Sequence, residues 1–172
     1  MGPGDEERDA RMTLALRHLE ADDAELLLRW RNDPDTRAAS FTQEPIPLDE
    51  HREWLARRLA DPHCAIYVAE SDGDPVAQVR VERRTAGSGE IHVVVAPEAR
   101  GRGVARSAIA MAAEAGAREL ELESIEARVK PGNEASLRAF RAAGFGEEEE
   151  RDGLVALTWR GARSASPPQT SA

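Results

Sequence analysis

Cys64 is the only cysteine in the chain, so no intrachain disulfide can form and a cysteine-rich metal site is excluded. The four histidines, His18, His51, His63 and His92, are scattered without metal-ligand spacing, and no metal is expected. Long apolar runs are also missing. Nothing approaches the ~18 apolar residues of a membrane span, and the acidic stretch from Met1 to Asp9 lacks the apolar segment of a secretion signal. The expectation is an unexported, cytoplasmic protein with no membrane partner. Positive charge is in deficit: Lys and Arg number 23 against 32 Asp and Glu, a net charge of -9. Such a surface repels phosphate backbones, which argues against general nucleic-acid binding and requires any anionic ligand to be held by a local positive patch.

What is present is a globular balance of 41% hydrophobic and 32% charged residues over 172 positions, enough for one domain with a sizeable core. Residues 1–11 read as a polar arm and 164–172 as a Ser/Pro-rich tail without the apolar residues that would offset the entropy of ordering, leaving a domain over 12–163. Thr13 to Leu19 suits a first strand. Asp22 or Asp23 is placed to cap a helix carrying Leu26, Leu27 and Trp30 and stopped at Pro34. After a loop through Phe41 and Pro45, a second helix runs from Asp49 to Asp61 with Leu55 and Leu59 on one face. Ala65 to Glu70, Pro75 to Glu82 and Glu90 to Ala96 read as a three-strand meander. A helix from about Gly103 to Leu120, a strand Ser124 to Val129, a helix Glu134 to Ala143 and a hairpin turning at Asp152-Gly153 complete the order. The result is an α/β, or layered α+β, domain: a mixed, mostly antiparallel sheet with helices on both faces.

The segment Ile91 to Ser107 holds the most chemistry. A buried strand enters a glycine-containing turn, Arg100-Gly101-Arg102-Gly103-Val104-Ala105-Arg106, and then a helix, whose unpaired N-terminal amides suit a phosphate. The glycines permit close approach of backbone, and the arginines supply the local positive charge. The turn matches neither a Walker loop nor a dinucleotide fingerprint. It resembles the [Arg/Gln]-x-x-Gly-x-[Gly/Ala] loop of the GNAT acetyltransferases, and Asn133-Glu134-Ala135-Ser136 through Phe140 and Gly144-Phe145 resembles a second segment of that family. The resemblance implies acetyl-CoA as co-substrate. Amides of Gly101 to Arg106, with Arg100, would hold its pyrophosphate, main-chain groups of Val93, Val94 and Val95 its pantetheine arm, and Asn133 would also contact it.

Direct transfer needs a neutral amine, so a base must take its proton. Glu90 and His92 lie two apart on one strand face, with Glu90 the first candidate and His92 the second. Phe140 stands where many relatives carry an acidic tyrosine, so Ser136, Tyr67 or water must serve the leaving thiolate, or it departs unassisted. Cys64 reads as a small core residue rather than a nucleophile. For the acceptor, Trp30-Arg31-Asn32-Asp33-Pro34 and His51-Arg52-Glu53-Trp54 resemble the branch that includes ribosomal-protein N-acetyltransferases and, more closely, those acting on nucleotide-linked amino sugars. The resemblance implies that Trp30, Arg31, Asn32, Arg37 and His51 read a small-molecule amine, with aromatics to stack on and guanidinium forks for phosphate. A protein N-terminus as acceptor, or an acyl-CoA-binding domain without turnover, are the other readings; the chain is expected to be a monomer or homodimer.

Overall fold

The computed structural model describes residues 13–161; the expected arm, the expected tail and the outermost positions of the 12–163 domain lie outside the described residues. Among the described residues, seven strands form one sheet in the order β1-β2-β3-β4-β5-β7-β6. They are β1 Leu14–His18, β2 Cys64–Ser71, β3 Asp74–Thr85, β4 Ser88–Val95, β5 Ser124–Val129, β6 Gly146–Arg151 and β7 Leu154–Arg160. Of these strand pairs only β4–β5 is parallel, as a strand–helix–strand connection requires. The expected α/β architecture is therefore found, with boundaries close to those read from the sequence.

The helices are α1 Ala24–Arg31, α2 Pro34–Ala39, α3 Leu48–Ala60, α4 Val104–Glu119 and α5 Glu134–Ala142. Two departures from expectation have local causes. Asp23 does not cap α1 through its side chain; its carboxylate turns back to the Glu20 amide at 2.9 Å and to Arg17 at 2.8 Å, bracing a 3-10 turn over Ala21–Asp23. Pro34 ends α1 but also begins α2, a helix absent from the sequence reading. Proline occupies its first turn, and the Asp33 carboxylate accepts the Thr36 amide at 3.2 Å, the usual combination of acidic cap and N1 proline.

One sheet face packs on α4 through Ala65, Tyr67, Val79, Val81, Ile91 and Ile125. The side chains of α4 that meet it are small: Ala108, Ala112, Ala113, Gly116 and Ala117 are all buried. A Cβ added to Gly116 would stand 2.8 Å from a Val81 methyl, so glycine sets how closely helix and sheet approach. The opposite face is covered at β2 by α1 and α3, where Ile66 and Val68 meet Leu19, Ala24, Leu27 and Leu55. Fully buried side chains such as Ile109, Ile125 and Leu157 each contribute roughly 1.5–3 kcal/mol. Leu59, expected on the buried side of α3, is 43% exposed; Leu55 is buried there, with Trp54 packed on the same cluster.

Candidate active site

β4 is joined to β5 at only three positions, Ser88–Glu90 against Ser124–Glu126. Beyond Glu90 the strands part: β4 runs on to Val95 paired only with β3, while β5 pairs with β7. Val93, Val94 and Val95 therefore carry main-chain groups on the side facing the gap with no strand among the described residues to meet them, and their side chains are half-buried. The three valines combine side-chain packing with a backbone edge that no described strand pairs. Such an edge accepts an extended amide-bearing chain as a short strand.

The turn that follows runs through a 3-10 turn, Pro97–Ala99, into α4. Gly101 and Gly103 both have φ of +75°, the left-handed region that favours glycine, and a Cβ on either would meet nothing within 4 Å. Gly103 is the N-cap of α4 and offers no side chain to the first-turn amides, which leaves the donors at Val104, Ala105 and Arg106 open to an anion. Val104 is buried and anchors the turn, whereas Arg102 and Arg106 are exposed and make no ion pair with any described residue. Arg100 is committed elsewhere: its guanidinium meets Asp33 at 2.8 Å, Thr36 at 2.8 Å and Asp35 at 3.3 Å, tying the turn to α2. These features fit the pyrophosphate and pantetheine of acetyl-CoA: uncapped amides, room beside two glycines, two free guanidiniums and a strand edge.

Asn133 caps α5, its Oδ1 accepting the Ser136 amide at 3.2 Å. Lys130, on the turn before it, donates to the carbonyls of Ala38 and Ser40 at 3.2 and 2.7 Å and holds the end of α2 across the gap.

Glu90 and His92 lie together where β4 and β5 part, on the sheet face opposite α4. Their Oε1 and Nε2 are 3.2 Å apart, and Arg84 reaches the other Glu90 oxygen at 3.0 Å. The bond with His92, helped by Arg84 and opposed by partial burial, brings the Glu90 acidity down to about 2. Glu90 is thus a fixed anion and a weak base.

The expected acceptor residues are engaged within the fold. Trp30 is 1% exposed and belongs to the larger core; it is a packing residue, correcting its reading as a stacking plane. Asn32 spends both halves of its amide on the backbone of Ile46, at 3.0 and 2.9 Å. Arg31 donates to Ser40 Oγ at 2.7 Å and Arg37 to the Asn32 carbonyl at 3.1 Å, so both shape the α2 loop. His51 is 5% exposed and stacks on Trp54 at 5.7 Å; burial holds its basicity down. In that region Phe41, 61% exposed, is the aromatic available to a ligand. Tyr67 and Phe140 are excluded as thiol acids. The Tyr67 hydroxyl donates to Glu119 at 2.5 Å at the far end of α4, and Phe140 is buried edge-on to Phe145. Burial and nearby Glu82 push the Cys64 thiol up to about 11, unsuited to a nucleophile. No group of three or more metal-ligating side chains occurs among the described residues, nor is any described helix long and apolar enough to cross a membrane.

Residues 13–146 match the acetyltransferase (GNAT) domain model. Similar solved structures include the Vibrio cholerae spermidine N-acetyltransferase in complex with CoA and spermine, 24% identical, with a TM-score of 0.74 over 86% of this chain and 95% of that one. The aminoglycoside acetyltransferase AAC(6')-Ib, crystallised with coenzyme A and kanamycin, is 19% identical, with a TM-score of 0.72 over 86% and 95%. An uncharacterised Bacillus halodurans protein is 19% identical, with a TM-score of 0.71 over 86% and 83%. At these identities the structural likenesses speak to the fold.

Proposed function

Since this chain belongs to the acetyltransferase (GNAT) domain family, it is an acetyl-CoA-dependent N-acetyltransferase, and we propose that its acceptor is the primary amine of a small molecule, an amino sugar foremost. The observation that carries this reading is the Glu90–His92 pair at the point where β4 parts from β5, on the strand that leads into the turn before the uncapped start of α4. Acetyl-CoA supplies an activated acyl thioester. The chain contributes the rest: amides of Gly101 to Arg106, with Arg102 and Arg106, hold the anionic end, and the open edge of Val93–Val95 orients the arm.

In this reading His92 receives the amine proton and Glu90 orients the ring and balances the charge that develops, which reverses the order in which the sequence ranks them. The reason is the low basicity of a carboxylate held near 2. Ser136, half-buried in the first turn of α5, or water serves the departing thiolate.

Support for a small-molecule amine comes from the names of similar proteins, which specify aminoglycoside and spermidine substrates; of these, the aminoglycosides are built from amino sugars. The nucleotide-linked form loses its original support, because Arg31, Arg37 and Trp30 are engaged within the fold. The test is CoA-thiol release against amino sugars, nucleotide-linked amino sugars, polyamines, aminoglycosides and N-terminal peptides. Turnover of amino sugars is expected; turnover of peptides alone, or of no amine, overturns the reading.

A further inference from the structure

Arg80 stands directly across β3–β4 from His92, on the same sheet face. Paired side chains in adjacent strands lie roughly 5 Å apart at Cβ, a separation that one small molecule spans. The Arg80 side chain is only 18% exposed, and its single ion pair among the described residues joins Nε to Glu82 Oε1 at 2.7 Å. Its guanidinium lies over the Trp54 ring at 5.2 Å, and its Nη groups have no hydrogen-bond partner among the described residues. Arg58 of α3 packs on the same ring at 5.8 Å and meets the same Glu82 oxygen at 2.8 Å. The other Glu82 oxygen faces Arg84 at 3.3 Å, and Arg84 also serves Glu90. Three guanidiniums therefore share two carboxylates, Glu82 and Glu90, and Glu82 is 4% exposed.

An unmatched positive charge in a largely dry setting is costly, and its carrier here is the group whose fork binds two oxygens of a carboxylate or phosphate at once. We propose, resting on the small-amine reading above, that the acceptor carries an anionic group, carboxylate or phosphate, which Arg80 and Arg58 bind while its amine faces His92 and Glu90. The local positive patch that the net charge of -9 demands for an anionic acceptor then lies at the β3–α3 contact, not on α1 and α2.

Steady-state kinetics on matched amines tests this: glucosamine 6-phosphate against glucosamine, and alanine against ethylamine. In one pair the member bearing the anionic group is expected to exceed the partner that lacks it by ~10-fold or more in kcat/KM, and which pair responds separates phosphate from carboxylate. Arg80→Gln should remove that preference through KM, costing the member with the anionic group far more than its partner; Arg80→Lys should restore part of it. Arg58→Gln, at a more exposed position, should act in the same direction. In the unsubstituted protein at saturating acetyl-CoA, which fills the loop at α4, acetate or inorganic phosphate should compete with the amine, a readout independent of whether a variant folds. Equal turnover within both pairs, or equal loss on both members in Arg80→Gln, overturns the proposal while leaving amine acetylation standing. Failure to turn over any amine overturns both.

Discussion

Glu90 is held ionised by His92 and Arg84, and this has two measurable consequences. For stability, its acidity in the folded chain lies near 2 against 4.5 for a free side chain, so the unfolded chain takes up the proton first as pH falls. The stabilisation is complete above about 4.5 and is lost as pH drops through 2. The urea midpoint of the protein minus that of Glu90→Gln should be flat from pH 7 to 5 and shrink below it; a difference that grows toward acid contradicts the assignment. For catalysis, Glu90→Gln should lower kcat by ~10²-fold with acetyl-CoA affinity nearly unchanged. His92→Phe should cost at least as much; near-normal turnover in that variant would remove His92 as proton acceptor. The residue types at this site are legible in the sequence because a two-residue spacing on a strand fixes a common face. The partners of Trp30, Asn32 and Arg80 are not, because a tryptophan buried in the core and one at a binding surface look alike in one dimension. What distinguishes them is cross-strand register and packing.

At the scale of elements, the turn into α4 and the close seat of that helix make opposite demands on glycine. Gly103→Glu places a side chain at a φ of +75° and a negative charge where an anion is to bind, so acetyl-CoA affinity should fall at least ~10-fold by calorimetry; an unchanged Kd would detach the loop from the cofactor. Gly116 lies inside a helix, where propensity alone predicts that alanine stabilises by about 1 kcal/mol. The 2.8 Å approach to Val81 reverses the sign: Gly116→Ala should destabilise by about 1–3 kcal/mol in chemical denaturation, and a gain in stability would show that the helix can lift away. Hairpin turns were readable because their chemistry is local: Asp72-Gly73 and Asp152-Gly153 all have positive φ, as the tight turn demands. The helix α2 escaped because Asp33-Pro34 signals a stop and a start with the same two residues. The last strands were legible through their turn and through β7; the four consecutive glutamates of β6 are exposed along an edge and give no alternation to read.

Across the whole molecule, two antiparallel leaves, β1–β4 and β5–β7–β6, meet at three residue pairs and are otherwise bridged by α4. The order of elements could be read along the chain, but the length of that seam could not, since it depends on where β4 and β5 stop facing one another. An open seam is a place of low local stability. A ligand lying along it acts as a missing strand and stabilises the fold by mass action, about 2.7 kcal/mol at a concentration 100 times its Kd. Acetyl-CoA should therefore slow amide hydrogen exchange at Val93–Val95 and at Val104–Arg106 more than elsewhere, and unaltered exchange there would place the co-substrate outside the gap. The same mass action predicts protection from cleavage: limited proteolysis should cut the chain more slowly as acetyl-CoA is added, because filling the seam lowers the population of locally opened chain.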